Sequence, residues 1–448
     1  MGSFEAIGSR RDFIRAAAGA AGSCAVFAGA VPHVRAAGSD EIKVGLIGCG
    51  GRGTGAASQF LLSTETPVKL WAMGDLFRDQ LDASHKLLSE GAEARYDREK
   101  FGPLTAKMDV PEARKFSGFD AYKGVISSGV DVVILATPPH FRPEHFEAAV
   151  AAGKHVFMEK PVAVDPVGIR RVIAAAKQAK EKGLSVVAGT QRRHQNHYRE
   201  IIRRVQDGAI GEIVSAQCYW NMGELWLEEA KANWENRKAK GWSDMEYQCR
   251  NWLFFTWLSG DHICEQHVHN LDIIQWALGA NPLAAMGVGG RAARTAPQYG
   301  NIYDHFAVEY EYPNGVRLSS MCKQMPGAAF VVAERLVGTK GQSYTDGSGG
   351  FITGQNPYKY DGPNPNPYYQ EHADLIRSIR DGKPLAEGAG VAESTMVAIL
   401  GRMSAYTGRQ IKWDWAMQAS KLDLRPPKYE FGALPEQPVA VPGKALPV

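Results

Sequence analysis

Three glycines could form a phosphate-binding loop, and they follow a short run of alternating apolar residues in the segment 42–55. In such a loop the first glycine allows a tight turn, the second lets a phosphate approach the backbone, and the third lets the next helix pack on the strand. Amide N–H groups at the helix N-terminus then face the anion. The residues of this loop predicted to contact a dinucleotide are Gly48, Gly50, Gly51, Arg52 and Gly53.

An aspartate ends the next apolar run, Val68–Asp75, at the separation where a dinucleotide fold places its ribose-binding acid. A carboxylate there accepts hydrogen bonds from the ribose hydroxyls and repels a 2′-phosphate. Asp75 therefore favours NAD over NADP as the cofactor. The alternative is an aspartate that only caps a helix or a turn.

Lys160 lies at the end of a third apolar run, His155-Val-Phe-Met-Glu-Lys-Pro161. Because a charged amine is costly to bury, this side chain is expected to face a cleft or to meet a specific partner. Near a nicotinamide such a lysine can polarise a substrate hydroxyl and lower its pKa. A surface lysine at a strand end is the competing interpretation. Other residues at strand ends predicted to line the cofactor are Thr137, Pro138, His140 and Glu159.

The segment 260–272 is rich in histidines and carboxylates. If it is one helix, a single face gathers His262, Glu265, His269 and Asp272. Glu265 and His269 could also be an ordinary surface pair on a helix. A third interpretation is a metal-assisted hydrolase whose ligands would be Asp261, His262, Glu265, His267 and His269. His267 and His269 fall on different helix faces, so no metal is predicted.

The elements around these residues indicate two folding patterns. Helical stretches alternate with short apolar strands up to about residue 191, which predicts a doubly wound parallel sheet. Period-two strands follow, and Pro313-Asn-Gly315 between two of them indicates a hairpin and a mostly antiparallel sheet. The predicted division is residues 1–37, 38–191 and 192–448.

Three motifs taken together resemble the Gfo/Idh/MocA family of nicotinamide-dependent oxidoreductases. They are the glycine loop, Ala-Thr-Pro-Pro-His at 136–140, and Glu-Lys-Pro followed by Val-Ala-Val at 159–164. The resemblance spans residues 42–414. It implies a Rossmann domain followed by an open, mostly antiparallel sheet with helices on one face, which covers the nicotinamide. The other face of that sheet often pairs subunits in the family, so a homo-oligomer, dimer or tetramer, is expected.

The resemblance also implies catalytic roles. The family pattern is an aspartate, three residues and a histidine; here Glu265 stands at the aspartate position and His269 at the histidine position. His269 is the predicted general base because an imidazole titrates near neutral pH. Glu265 would orient it or bind a neighbouring hydroxyl, and Lys160 would stabilise the developing alkoxide. The longer glutamate departs from the family pattern and leaves the substrate open.

Six tryptophans are concentrated in the segment 220–257. Such aromatics commonly stack on sugar rings, although each could equally belong to the core or to a subunit interface. The residues predicted to bind substrate are Arg193, Tyr219, Trp252, His262 and Asp272. The proline-rich segment 426–448 is predicted to reach across a partner subunit.

Composition limits the classes of partner. A chain of 448 residues with 44% apolar residues predicts two or three domains, and a net charge of +3 argues against nucleic acid as a partner. The six cysteines are scattered and include no C-x-x-C, so neither a disulfide framework nor a zinc finger is predicted.

The first 37 residues are predicted to be an export signal. Ser9–Arg15 resembles the twin-arginine signature, the Ala/Gly run 16–30 follows, and Val34-Arg-Ala36 offers a cleavage site. A retained anchor is the alternative, but the run is shorter and less apolar than the ~20 residues of a membrane span. The twin-arginine translocase is therefore an expected partner, and the location is expected to be periplasmic or otherwise exported. Outside the cytoplasm a nicotinamide cofactor would have to stay tightly bound.

These observations predict an exported NAD(P)-dependent oxidoreductase that moves hydride between a sugar or polyol CH–OH and a tightly bound cofactor. The alternative enzyme is an NAD-dependent glycoside hydrolase that uses transient oxidation at C3 and elimination. A non-catalytic carbohydrate-binding or chaperone-like descendant is a third possibility, which Lys160 and His269 argue against.

Overall fold

The computed structural model describes residues 41–93, 100–223 and 225–446. The predicted export signal at residues 1–37 lies outside these ranges. Residues 38–448 cluster as one compact unit, which contains two large sheets. None of the helices within the described ranges is both long and apolar enough to cross a membrane.

Six parallel strands form the first sheet, in the order β5-β2-β1-β6-β7-β8. This is the strand order of a doubly wound dinucleotide-binding sheet, so the predicted fold class is confirmed for this half. A short hairpin, β3–β4, occupies the polar segment after the second strand. The strands are β1 (Ile42–Ile47), β2 (Val68–Asp75), β3 (Ala92–Glu93), β4 (Lys100–Phe101), β5 (Lys115–Ser117), β6 (Val132–Leu135), β7 (His155–Met158) and β8 (Val186–Ala188).

Helices cover both faces of this sheet, which explains why its central strands are apolar on both sides. All four residues of β6 are buried, and so are all but one residue each of β1 and β7. The helices of this half are α1 (Gly51–Leu62), α2 (Arg78–Glu90), α3 (Ala121–Ser127), α4 (Arg142–Ala151) and α5 (Pro166–Glu181). The carboxyl ends of β1, β2, β6 and β7 carry the residues singled out for cofactor contact.

The second sheet has nine strands in the order β16-β15-β14-β13-β9-β12-β11-β10-β17, and only the β9–β12 pair is parallel. The prediction of a mostly antiparallel sheet is confirmed, including the hairpin at Pro313–Gly315. The strands are β9 (Ile213–Met222), β10 (Ala284–Gly290), β11 (His305–Glu311), β12 (Arg317–Gln324), β13 (Val331–Gly338), β14 (Gly341–Asp346), β15 (Gly349–Gly354), β16 (Tyr358–Lys359) and β17 (Ile411–Lys412).

Helices pack on one face of the second sheet, while Met286, Val288 and Met321 are exposed on strands β10 and β12. The helices of this half are α6 (Asn196–Gln206), α7 (Leu227–Ala239), α8 (Asp244–Arg250), α9 (Thr256–Ser259), α10 (His262–Glu265), α11 (Val268–Leu278), α12 (Pro367–Arg380), α13 (Gly388–Thr407) and α14 (Trp413–Gln418).

The long helix α13 is almost wholly buried and ties the two sheets together. Its Val397 carbonyl accepts a hydrogen bond of 3.1 Å from the Tyr310 hydroxyl on β11. Arg402 of the same helix donates to the carbonyl oxygen of Val164, which follows β7, at 2.6 Å. The ends of the parallel strands are thereby held against the second half of the chain.

The segment 419–446 contains no helix or strand. It includes most of the proline-rich segment 426–448 and has contacts with its own chain, while the predicted reach of that segment across a partner subunit stays a prediction. The Tyr303 hydroxyl, for example, donates a 2.9 Å hydrogen bond to the Ala440 carbonyl.

Candidate active site

A cavity of about 390 Å³ lies at the carboxyl ends of strands β1, β2 and β6. In doubly wound sheets this is where ligands bind. The predicted cofactor residues that line it are Gly48, Gly50, Gly51, Arg52, Asp75, Thr137 and Pro138.

The glycine loop has the geometry that its spacing predicts. Gly48 has a φ of +97°, a conformation that side chains disfavour. Gly53 does not line the cavity. A Cβ added at Gly53 would overlap the carbonyl oxygen of Gly48, so the absence of a side chain lets α1 pack against the end of β1. A Cβ added at Gly50 would meet no atom within 4 Å. The space in front of Gly50, at the N-terminus of α1, fits a phosphate of a dinucleotide.

Asp75 has two functions at the end of β2. Its carboxylate accepts hydrogen bonds from the backbone N–H groups of Cys49, at 2.6 Å, and Phe77, at 2.8 Å. The acid therefore organises the loop, as the alternative interpretation holds, and it also lines the cavity where a ribose would bind. Burial raises the pKa of Asp75 to about 6, although both backbone hydrogen bonds act in the opposite direction.

The far wall of the cavity comes from the second half of the chain. It includes Trp252, which was predicted to bind substrate. Trp252 packs 5.6 Å from Trp226, and both indoles share the cavity with the glycine loop. Trp252 is therefore placed at the nucleotide site and not among the predicted catalytic residues, none of which lines this cavity.

Lys160 meets the partner that its position at a strand end requires. Its ammonium group donates to the Glu265 carboxylate at 3.1 Å and also to the Glu265 backbone carbonyl. Both side chains are largely buried, at 11% and 7% exposure. The structure thus brings together two of the three predicted catalytic residues, one from the end of β7 and one from α10.

His269, the third, lies nearby on α11. Its imidazole is buried and stacks on the indole of Trp220, with ring centroids 5.7 Å apart and an interplanar angle of 22°. Burial lowers the pKa of His269 well below 6.5, and the positive charges of Lys160 and Arg192 lower it further. The imidazole is therefore neutral at physiological pH, and its Nδ1 is buried without a protein partner among the described residues.

The prediction of one continuous helix through residues 260–272 is wrong. Helix α10 ends at Glu265 and α11 begins at Val268. The buried Asp261 precedes α10 and has a non-helical φ of +69°. Its carboxylate accepts hydrogen bonds from His262 N, Tyr303 N and the Tyr406 hydroxyl. These contacts fix the position at which α10 begins.

His262, predicted as a substrate ligand, lies on α10 together with Glu265. Its ring is fully buried 5.1 Å from Phe306, and its Nδ1 lies 3.0 Å from the Asp261 carboxylate. His267 is fully buried as well, 2.7 Å from the Ser320 hydroxyl. Among the described residues, no three metal-binding side chains converge on a site that could hold an ion.

The remaining predicted substrate residues are accounted for by protein contacts. Arg193 and Asp272 form a two-pronged ion pair with both distances at 2.8 Å, and Ser394 donates to the same carboxylate. The Tyr219 hydroxyl donates to Gln217 on β9. Arg193 is 27% exposed, so this pair has one accessible member.

Besides Gly53 and Lys160, two more predicted cofactor residues lie outside the cavity lining. His140 is buried, with its Nε2 2.8 Å from the Tyr429 hydroxyl, and burial lowers its pKa to about 3. Glu159 forms an ion pair with Arg52 at 2.8 Å. Glu159 thus helps to position Arg52, which follows the glycine loop. His140 contacts Tyr429 near the end of the chain.

Sequence reasoning missed three aromatic or charged neighbours of these sites. Trp220 was noted only as one of six tryptophans, and Arg192 is buried in an ion pair with Glu334 at 2.5 Å. Phe77 lines the cavity. The position of Phe77, two residues after Asp75, could have indicated that it lines the cofactor site.

Two family models match the chain. The model described as "Oxidoreductase family, NAD-binding Rossmann fold" matches residues 42–188, and the GFO/IDH/MocA C-terminal domain matches residues 198–343. The chain is 31% identical over 226 residues to 2,7-anhydro-N-acetylneuraminate hydratase of Escherichia coli K12, covering 50% of this chain and 53% of that protein. It is 27% identical over 192 residues to inositol 2-dehydrogenase 3 of Saccharopolyspora erythraea, covering 43% and 47%. The chain thus spans about half the length of these curated relatives.

Solved structures share the fold. Aldose-aldose oxidoreductase from Caulobacter crescentus has a TM-score of 0.61 at 20% identity, over 83% of this chain and 99% of that one. Scyllo-inositol dehydrogenase from Lactobacillus casei, solved with NAD(H) and scyllo-inositol, has a TM-score of 0.59 at 18% identity, over 83% and 99%. Both family models and this shared architecture lead to one conclusion: the chain belongs to the Gfo/Idh/MocA family of oxidoreductases, with an NAD(P)-binding Rossmann domain and the family's C-terminal domain.

Proposed function

We propose that this protein is an NAD(P)-dependent oxidoreductase that transfers hydride between a CH–OH group of a sugar or polyol and a bound nicotinamide cofactor. The observation that carries the proposal is the buried cluster of Lys160, Glu265 and a neutral His269 beside the carboxyl end of β7. Family membership and the carbohydrate-related names of the relatives support the substrate class.

Two residues of the cluster divide the proton chemistry. The Lys160 ammonium polarises the substrate oxygen and stabilises the alkoxide that forms when its proton leaves. His269 accepts that proton at a ring nitrogen. The positive charge of Lys160 serves both steps, because it also lowers the pKa of His269 and keeps the imidazole neutral before reaction. Glu265 holds the lysine amine in place.

The glycine loop and Asp75 would hold the cofactor in the cavity at the ends of β1 and β2. A nicotinamide dinucleotide bound there supplies the hydride acceptor or donor. Asp75 supports NAD over NADP, because a carboxylate in this position repels a 2′-phosphate. Ser9–Arg15 supports export through the twin-arginine translocase to the periplasm, where a cofactor must remain bound. A dimer or tetramer is part of the same proposal.

A second candidate is a redox-neutral enzyme, such as an NAD-dependent glycoside hydrolase that oxidises its sugar transiently and then eliminates the leaving group. The similarity to a hydratase of an anhydro sugar favours it, since 31% identity extends over half of this chain. In that cycle the hydride returns to the same sugar, and His269 or Lys160 would move protons at two successive positions.

The test is to purify the full chain, denature it, and measure released NAD(H) and NADP(H), with and without prior incubation with sugars, polyols and glycosides. We expect about one dinucleotide per chain, reduced by one class of carbohydrate and reoxidised by a second carbohydrate. Glycoside cleavage without net reduction would favour the second candidate. A chain that holds no nucleotide and binds no added NAD would contradict both.

Lys160→Met identifies the site within that test. Its turnover is expected to fall roughly 10²- to 10⁴-fold with nucleotide still bound, because proton transfer and charge stabilisation contribute factors of this size. Lys154→Met is the matched control: this lysine is at the opposite end of the same strand and its amine donates to the Val130 carbonyl at 2.7 Å. Equal activity in the two variants would remove Lys160 from the mechanism.

A further inference from the structure

The nucleotide cavity has a wall that its Rossmann half does not supply. Residues 226–254, here called the cover, contain α7 and α8 and face the glycine loop across the cavity. Asp75 and Phe77 line this cavity from the Rossmann half. The cover residues that line it include Trp226, Asn233, Arg250, Trp252 and Phe254. This wall is aromatic and carries one cation, Arg250, and one carboxylate, Glu229.

Arg250 fastens the cover to the Rossmann half. Its guanidinium lies 3.8 Å from the centre of the Phe77 ring and pairs with Asp79 of α2 at 3.0 Å. Within the cover it also pairs with Glu246 at 3.1 Å. Arg250 therefore closes the end of the cavity that follows Asp75, where the adenosine half of a dinucleotide belongs.

A second segment, near the end of the chain, contacts both the Rossmann half and the cover. Residues 423–436, here called the strap, start at the N-terminus of α5, where Leu424 N donates to the Asp165 carboxylate at 2.8 Å. The Tyr429 hydroxyl then lies 2.8 Å from His140 Nε2, beyond the end of β6. Phe431 stacks on Phe77, with ring centroids 5.8 Å apart and an interplanar angle of 9°.

The strap ends on the cover itself. The backbone carbonyl of Leu434 accepts a 2.6 Å hydrogen bond from the Gln248 side chain. The backbone N–H of Leu434 donates to the Asp244 carboxylate at 3.1 Å. Glu436 pairs with Arg237 at 2.9 Å. The strap thus crosses the carboxyl ends of the parallel strands and joins them to α7 and α8.

The geometry points to a nucleotide site with two walls, in which the cover and the strap enclose the adenosine half of the cofactor and slow its release. Phe77 is the shared member, since it lines the cavity and contacts both Arg250 and Phe431. Stacked aromatic pairs and cation–π contacts stabilise this arrangement. The inference rests on the proposed function, because it takes the ligand of the cavity to be NAD(P).

The experiment measures the rate at which NAD⁺ leaves the full-length protein, after loading and transfer into excess unlabelled NAD⁺. Phe431→Ala removes the stack on Phe77, and release is expected to become at least about tenfold faster, since changes in affinity fall mostly on the dissociation rate. Arg250→Lys keeps the charge but loses the planar fork and its stack, so a smaller acceleration is expected.

Phe351→Ala is the matched control. Phe351 is 41% exposed against 49% for Phe431. It stacks on Tyr344 at 5.3 Å and 21°, and neither residue lines the cavity. Release from this variant is expected to match the unaltered protein. Thermal unfolding without nucleotide is measured for every variant, so that a loss of folding is not mistaken for a loss of retention.

Release at the unaltered rate from both folded variants, Phe431→Ala and Arg250→Lys, would overturn the two-walled site. Equal acceleration in Phe351→Ala would overturn it as well, because the effect would then be general. A protein that binds NAD⁺ but shows no carbohydrate-dependent reduction would contradict the proposed function alone, and the release rates would still decide the inference. Failure of the unaltered protein to bind NAD⁺ would overturn both.

Discussion

The nucleotide cavity and the Lys160–His269 cluster are built on different physical principles. The cavity is shaped by backbone and aromatic surfaces from several segments and has room for a ligand in front of Gly50. The cluster is closed, and its charged side chains are held by one another, as Lys160 is by Glu265. Binding in the cavity should therefore respond mainly to volume, whereas chemistry in the cluster should respond mainly to the removal of single charges or proton acceptors.

The largest effect that separates the two regions is expected from His269→Ala. Loss of the general base should lower turnover about 10²- to 10⁴-fold while the affinity for NAD⁺ stays unchanged. Because the pKa of His269 lies well below 6.5, its protonation should not limit kcat/KM of the unaltered enzyme above pH 6.5.

Steady-state rates with and without added imidazole test this prediction. Partial recovery in His269→Ala would identify the missing group as a proton acceptor and not as a packing residue. His85→Ala, a half-buried histidine on α2, is the control. Loss of NAD⁺ binding in His269→Ala would show that the two regions are not separable.

An intermediate effect is expected from Gly50→Ala. The added methyl group meets no protein atom within 4 Å, so stability should hold within about 0.5 kcal/mol, while a phosphate in the same space would be crowded. Overpacking of 1–3 kcal/mol corresponds to roughly a ten- to a hundredfold loss of NAD⁺ affinity.

Calorimetric titration and thermal unfolding separate binding from folding in this case. Gly53→Ala is the paired variant, because its methyl group overlaps the Gly48 carbonyl and should lower the melting temperature even without nucleotide. If Gly50→Ala bound NAD⁺ as tightly as the unaltered protein, the phosphate would have to lie elsewhere.

The smallest effect is expected from Asp75→Ala, about a tenfold weaker binding of NAD⁺ with less discrimination against NADP⁺. The pKa of Asp75 is raised to about 6, so its carboxylate is ionised above that pH and becomes protonated below it. Affinity for NAD⁺ should accordingly fall as the pH drops through 6 in the unaltered protein, and the Asp75→Ala variant should lack this dependence. A pH titration of binding by tryptophan fluorescence measures both, and an unchanged profile would place the ribose away from Asp75.

Elements whose pattern is set by local sequence were predictable. Strand β2 has its predicted bounds, Val68–Asp75, because a buried parallel strand needs a continuous apolar run and Asp75 ends it. The glycine spacing likewise predicted a tight turn at Gly48, where φ is +97°. Lys160 was expected to find a partner, and Glu265 is that partner.

Features that depend on distant contacts were not predictable. The start of α10 is fixed by hydrogen bonds that Asp261 accepts from Tyr303 and Tyr406, which are 42 and 145 residues away along the chain. Trp252 likewise lines the cavity on a segment that is held by the ion pair of Arg250 with Asp79, 171 residues away. Helical periodicity contains no information about either contact.

The order of segments along the chain gives the strap a consequence for biosynthesis. The glycine loop, Asp75 and the cover are all translated before residues 423–436. Segments that leave the ribosome first can fold first, and every residue that lines the cavity is made before the strap. In the two-walled site proposed above, a dinucleotide that binds before the strap is in place would be released slowly afterwards, so the supply of dinucleotide during folding would affect the fraction of loaded protein.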